Sequence, residues 1–210
     1  MEASKVKELP YISVNPNGRL PSIEDPNANI TLWESGAIIQ YLIEKYDTEH
    51  KISYDVEPEK YYQSQYLFFQ MSGQGPYFGQ GYWFTFSHPE KVPSAIERYN
   101  KEVKRVVGVL DLALKGKQWL VGNKCTIGLF SSCSLSMLSY RVPSTNFLYT
   151  ADLAFVPWDE MIPKILGDEF NTVDEATYPP YWDWHKRIAA RPAVQKALAL
   201  KAEATGQVKH

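Results

Sequence analysis

The chain has 210 residues, 44% of them apolar and 14% aromatic, and 22 basic against 24 acidic side chains leave a formal charge of −2. That length is enough for one large domain or two modest ones with a real core, and the apolar share argues against disorder. There is no basic block to suggest nucleic acid and no apolar run near the roughly 18 residues of a membrane span, and MEASKVKELPY lacks the core of a secretory signal, so a cytoplasmic protein is expected.

Along the chain, Asn15-Pro16-Asn17-Gly18 reads as a turn. Leu20–Ile23 and Ile30–Trp33 are short strand candidates, joined hairpin-fashion through EDPNAN. From Ser35 the apolar residues Ile38, Ile39, Leu42, Ile43 and Tyr46 have helical spacing. Residues 48–59 are polar and read as a linker. Beyond Glu59 the pattern is helical almost throughout. Tyr62, Tyr66 and Phe69 line one face of a helix that breaks at Ser72-Gly-Gln-Gly-Pro76. A long helix from about Pro93 carries Ile96, Tyr99, Val103, Val106, Leu110 and Leu114 on one stripe. Further helices are expected over Asp152–Leu166 and Tyr181–Ala190, with Pro192 opening the last. The domains are thus 1–47, α/β, and 60–210, all helical, joined by the linker at 48–59.

Two cysteines, Cys125 and Cys133, are too few for a disulfide framework or a structural zinc site. His88 and His185 have no Cys or acidic partner at ligand spacing, and both read as structural, so no metal is expected.

The stretch that invites chemistry is TLWESGAI, where Glu34 and Ser35 stand at a helix start. Thr31 and Glu34 have the Thr-x-x-Glu spacing of a capping box, which would satisfy orphan amides. Alternatively, the Ser35 amide and hydroxyl at the helix N-terminus bind a carboxylate while Glu34 binds an ammonium, together matching an amino-acid head group. Arg19-Leu20-Pro21 precedes them. A cis bond at Pro21 would turn the Leu20 backbone outward, where it could pair with an extended peptide.

NPNGRLPSI, LWESGAIIQYL and then YD resemble the glutathione-binding half of a glutathione transferase. SGQGPYFGQ, HPEKVPSAIERYNKEV, WLVGNKCTI, ADLAFVPW and WHKRIAARPAVQKAL resemble its helical half, in the fungal branch that includes the yeast nitrogen-catabolite regulator. The resemblance implies a truncated thioredoxin-like domain followed by an all-helical transferase domain. It places the γ-glutamyl end of glutathione on Glu34 and Ser35, and the cysteinyl backbone on Leu20 beside the cis-proline Pro21. It makes Phe69, Gln74, Tyr77 and Phe78 candidates for the pocket of a hydrophobic electrophile, with core or dimer-interface roles as the alternative. It further implies a homodimer and a thiolate attack on an electrophile, or isomerisation through a glutathione adduct, in detoxification or secondary metabolism. The family's first strand, helix and second strand have no counterpart before Asn15. They carry the group that stabilises the thiolate, so no catalytic residue is assigned and a sheet of two strands is expected. A non-catalytic regulator or scaffold of the same fold, or a non-functional fragment, is the alternative.

Gly128–Thr150 is atypical of the family. It holds six serines and one charged residue, Arg141. Excising it joins Ile127 to Ala151 and restores Thr126-x-x-Asp152, a helix cap. The Gly128 codon can hold a GT donor and the Thr150–Ala151 codons an AG acceptor. A translated intron lying outside the helical core is therefore expected, with a genuine loop or extra helix as the alternative.

Overall fold

A short hairpin begins the architecture. In the computed structural model, which describes residues 3–126, 139–141 and 151–204, a four-residue helix α1 (Tyr11–Val14) precedes strands β1 (Ser22–Asp25) and β2 (Ile30–Trp33). The two strands run antiparallel, with Ser22 opposite Trp33 and Asp25 opposite Ile30. EDPNAN makes the turn: the Asn27 amide donates to Asp25 Oδ1 at 2.9 Å, and Asn29 takes a φ of 50°, which asparagine tolerates. The sheet has a third strand where two are expected. β3 (Ser139–Arg141) lies parallel to β1, Ser22 opposite Ser139, giving the order β2-β1-β3. This stretch of the atypical segment therefore joins the α/β sheet, and the rest of Gly128–Thr150 lies outside the described residues.

Helix α2 (Ser35–Tyr46) lays Ile38, Ile39 and Leu42 on the sheet against Ile23, and Leu67 from helix α3 (Glu59–Phe69) completes this small core. Asp25, 1% exposed, accepts hydrogen bonds from the hydroxyls of Tyr41, at 2.5 Å, and Tyr46. Burial would raise the Asp25 carboxyl, but these bonds hold it below its ordinary value. Helix α3 buries Gln63 and Leu67; of the expected aromatic stripe, Tyr66 and Phe69 pack partly buried against the helical core, while Tyr62 is half exposed.

The expected break at Ser72–Pro76 is absent. A π-helical turn, Gln70–Gln74, carries α3 without interruption into helix α4 (Gly75–Tyr82), and a second one follows at Trp83–Ser87. The wider turn explains the tolerance. The Gly75 amide reaches back five residues to Gln70 O, so Pro76 enters where its missing N–H leaves no gap.

Helix α5 (Pro93–Leu114) buries Val103, Val106, Val107, Leu110 and Leu114 as the helical core, while Ile96 and Tyr99 are only half buried. The predicted helix over Asp152–Leu166 is two: α6 (Ala151–Asp159) and α7 (Ile162–Leu166), the second opened by Pro163. Helices α8 (Pro179–Ala189) and α9 (Pro192–Ala204) close the chain's described part. Trp184 and Tyr181 on α8 meet Phe155 on α6 and the α5 stripe in one cluster.

Candidate functional site

A cavity of about 790 Å³ opens between the α/β unit and the helices. One wall is made by turns. Asn15, 2% exposed, caps its own turn: its Oδ1 accepts from the Asn17 amide at 3.0 Å and its backbone carbonyl from the Gly18 amide at 2.9 Å. Gly18 needs its φ of 58°, and a Cβ there would lie 2.8 Å from Lys7 and 2.9 Å from Val6 O. Asn15 Nδ2 and the Tyr11 hydroxyl both donate to Arg19 O, at 2.5 and 2.8 Å, so the backbone before Leu20 is fixed. The Leu20–Pro21 bond is cis. Leu20, Pro21, Glu34 and Ser35 all line this cavity, with Asn15, Asn17 and Arg19 beside them.

The capping box does not form. Thr31 stays in β2, Glu34 is itself the N-cap residue, and it makes no side-chain cap bond. Glu34 adopts φ 73° and ψ 114°, outside the left-handed helical well and unusual for a residue with a Cβ. Its carboxylate reaches Asn17 Nδ2 only at 3.5 Å. The Ser35 hydroxyl donates to Met71 Sδ at 3.2 Å, a weak acceptor that a carboxylate would displace. Helix α2 thus presents a hydroxyl, its first amides and the positive end of its dipole to the cavity.

The opposite wall comes from the helices. Its residues include Gln70, Met71, Gly75, Gly79, Trp83 and Trp158. The four pocket candidates read from the resemblance do not line it. Phe78 is fully buried in the helical core, Phe69 packs on Phe155, and the Tyr77 ring lies 5.8 Å from the Arg105 guanidinium. Gln74, also fully buried, donates from Nε2 to Phe155 O at 3.2 Å and to Asp159 Oδ1 at 2.7 Å. Burial raises the Asp159 carboxyl well above its ordinary value, against the bond from Gln74. The offset has a cause. The π-helical turn shifts the register, so the pocket takes Gln70, Met71, Gly75 and Gly79 where a straight helix would present a different set. The spacing of Gly75 and Gly79 was the available signal.

The model of the glutathione S-transferase N-terminal domain matches residues 4–50. The glutathione S-transferase-like protein tpcF of Aspergillus fumigatus is 45% identical over 206 residues, 93% of this chain and 80% of its own. The chain belongs to the glutathione S-transferase family. Within the family it resembles Ure2-type proteins of fungi. The structure of the Phanerochaete chrysosporium transferase URE2P6 with oxidized glutathione superposes with a TM-score of 0.79 at 42% identity, over 97% of this chain and 83% of that one. Ure2p5 of the same organism, cocrystallized with 1-(S-glutathionyl)-2,4-dinitrobenzene, superposes at 0.76 with 37% identity over 97% and 84%. The fold is therefore a thioredoxin-like α/β unit with an all-helical transferase domain. Among the described residues no group of His, Cys, Asp and Glu is placed to hold a metal ion, and no helix is long and apolar enough to cross a membrane. His185, 8% exposed, packs edge-on against Trp182 with Glu160 3.7 Å away, and burial lowers it to about 4. It takes no part in the cavity wall.

Proposed function

We propose that this chain binds glutathione and joins its sulfur to a hydrophobic, electrophilic small molecule. One observation carries the reading: Leu20, Pro21, Glu34 and Ser35 share a cavity with an aromatic wall holding Trp83 and Trp158. The γ-glutamyl carboxylate sits at the N-terminus of α2 on the Ser35 amide and hydroxyl, and its ammonium pairs with Glu34. The cysteinyl backbone lies along Leu20. Held there, the sulfur faces the second wall. The thiol loses its proton, the thiolate attacks an electrophilic carbon, and a C–S bond forms. A displaced group leaves with its electron pair, or in an addition the adjacent carbon takes the proton. The residues of this chain contribute orientation, holding both ends of the γ-glutamyl-cysteinyl unit so that the sulfur meets the electrophile. The setting that fits is a cytoplasmic homodimer of twofold symmetry, acting in detoxification or fungal secondary metabolism.

Capture on immobilised glutathione, followed by a conjugation assay with chlorodinitrobenzene, tests this. Capture with turnover is the expected result. Capture without turnover would transfer the reading to a non-catalytic regulator of the same fold, and neither would overturn it. Light scattering showing a monomer would remove the dimer.

A further inference from the structure

We propose that Met71 is a peroxide-sensitive switch on the glutathione site: oxidation of its thioether to the sulfoxide sets a strong acceptor on Ser35 and weakens glutathione binding. The proposal rests on the glutathione reading above and names a regulation of the same cavity.

Met71 stands where the two halves of the chain meet. It belongs to the π-helical turn Gln70–Gln74 on the helical side, and its side chain packs against the small core of the α/β unit. There it covers the start of α2. Its Sδ accepts from the Ser35 hydroxyl at 3.2 Å, and a Cβ on Gly36 would lie 3.4 Å from its Cγ and 3.5 Å from its Sδ. Met71 is partly buried and lines the cavity, so a small oxidant that enters the cavity meets this side chain. Cys125, by contrast, is buried in the helical core and is no part of the cavity wall.

The chemistry is the transfer of one oxygen and two electrons. A sulfur lone pair attacks an oxygen of hydrogen peroxide, the O–O bond breaks, and an S–O bond forms. The second peroxide oxygen leaves with the electron pair and takes the proton from the sulfur-bound oxygen, giving water. Sulfur is oxidised and the peroxide reduced.

The product changes what Ser35 meets. A thioether is a weak acceptor. A sulfoxide oxygen is polar, and a slight withdrawal of the flexible side chain lets it accept from the same hydroxyl. It then lies at the positive end of the α2 dipole, beside the first amides, which have no partner within the helix. Those donors are the ones that the γ-glutamyl carboxylate uses in the reading above. The oxidised side chain therefore competes with the ligand for them.

Calorimetric titration of the full chain with glutathione, before and after hydrogen peroxide, tests this. Dithiothreitol after the peroxide reverses cysteine sulfenic acids and disulfides and leaves sulfoxides in place. Peptide mass spectrometry then locates the sulfoxides among Met1, Met71, Met137 and Met161. Sulfoxide at Met71 is expected, with glutathione affinity lowered about 5- to 10-fold and the melting transition kept. Methionine sulfoxide reductases, one for each epimer, should restore the affinity, and this arm needs no variant. Treated Met71→Leu should bind within about twofold of its own untreated form. Met71 left unoxidised while Met161 is converted, sulfoxide at Met71 with unchanged affinity, no recovery with the reductases, or an equal loss in Met71→Leu would each overturn the switch. So would a loss of affinity that comes only with loss of the melting transition. Untreated protein failing to bind glutathione would instead overturn the reading beneath it.

Discussion

The wall formed by Leu20, Pro21, Glu34 and Ser35 is made of a turn, a strand entrance and a helix end, with the Tyr11 hydroxyl and the Asn15 side chain donating to Arg19 O and an unusual φ at Glu34. The wall formed by Gln70, Gly75, Gly79 and Trp158 is made of packed helices, held by a buried amide chain and by close approach at two glycines. The first draws its parts from neighbouring sequence positions. The second depends on contacts such as Gln74 to Phe155, 81 residues apart. A site can thus have one half written locally and the other only in the tertiary fold. Under the proposed function, the first half holds glutathione and the second meets the electrophile.

The comparison breaks if the two walls fold independently, and Leu67 is the residue to ask. It lies on α3, yet its side chain completes the core beneath the first wall. Leu67→Ala should cost roughly 2–5 kcal/mol as a lower urea midpoint in a single transition. Two separated transitions would mean the walls are separate units.

A smaller effect isolates the helical side. His185 is buried neutral and lowered to about 4, below the value near 6.5 of an exposed imidazole. Between those two values the unfolded chain binds a proton that the folded chain does not, so stability falls as pH falls from 6.5 to 4 and levels off below. Roughly 2–3 kcal/mol should be lost over that window, with Glu160 at 3.7 Å opposing part of the effect. His185→Gln should flatten urea midpoints measured across it, and glutathione affinity at pH 7 should not move.

On the first wall, Glu34→Ala and Ser35→Ala should each weaken glutathione binding by roughly 1.5–3 kcal/mol. Neither side chain makes a cap bond, so thermal stability should change little. Unchanged affinity in both, measured by calorimetry, would leave this wall without a ligand role. The smallest expected change is Tyr46→Phe. It removes one of two hydroxyls from Asp25 and leaves Tyr41 in place, for a cost of about 1 kcal/mol in the melting transition.

The fold class and the first wall were legible because their signals are local. A turn sequence, a proline and an acid–serine pair at a helix start each constrain a few adjacent residues, and all four residues singled out there meet in the cavity. The capping box was not formed, because Thr31 is committed to pairing with Glu24 in the hairpin. The four pocket candidates of the second wall came from the resemblance alone, with core roles as the alternative, because a side chain's place on that wall depends on tertiary packing and on the π-helical turn at Gln70–Gln74. Phe78 and Gln74 therefore point into the core, and Gln70 and Gly79 form the wall. Trp158 had no sequence signal for a site, since its position depends on how α6 packs against α4.

The parallel pairing of β1 with β3 has a consequence for biogenesis. The partner of Ser22 is Ser139, more than a hundred residues later, so the sheet cannot close until helices α3, α4 and α5 have been synthesised. Long-range pairing must first overcome the entropy of the intervening loop, and parallel strands are slow to find each other. The hairpin beside the cavity is thus expected to leave the ribosome with an open edge and to stay exposed to other chains until β3 emerges.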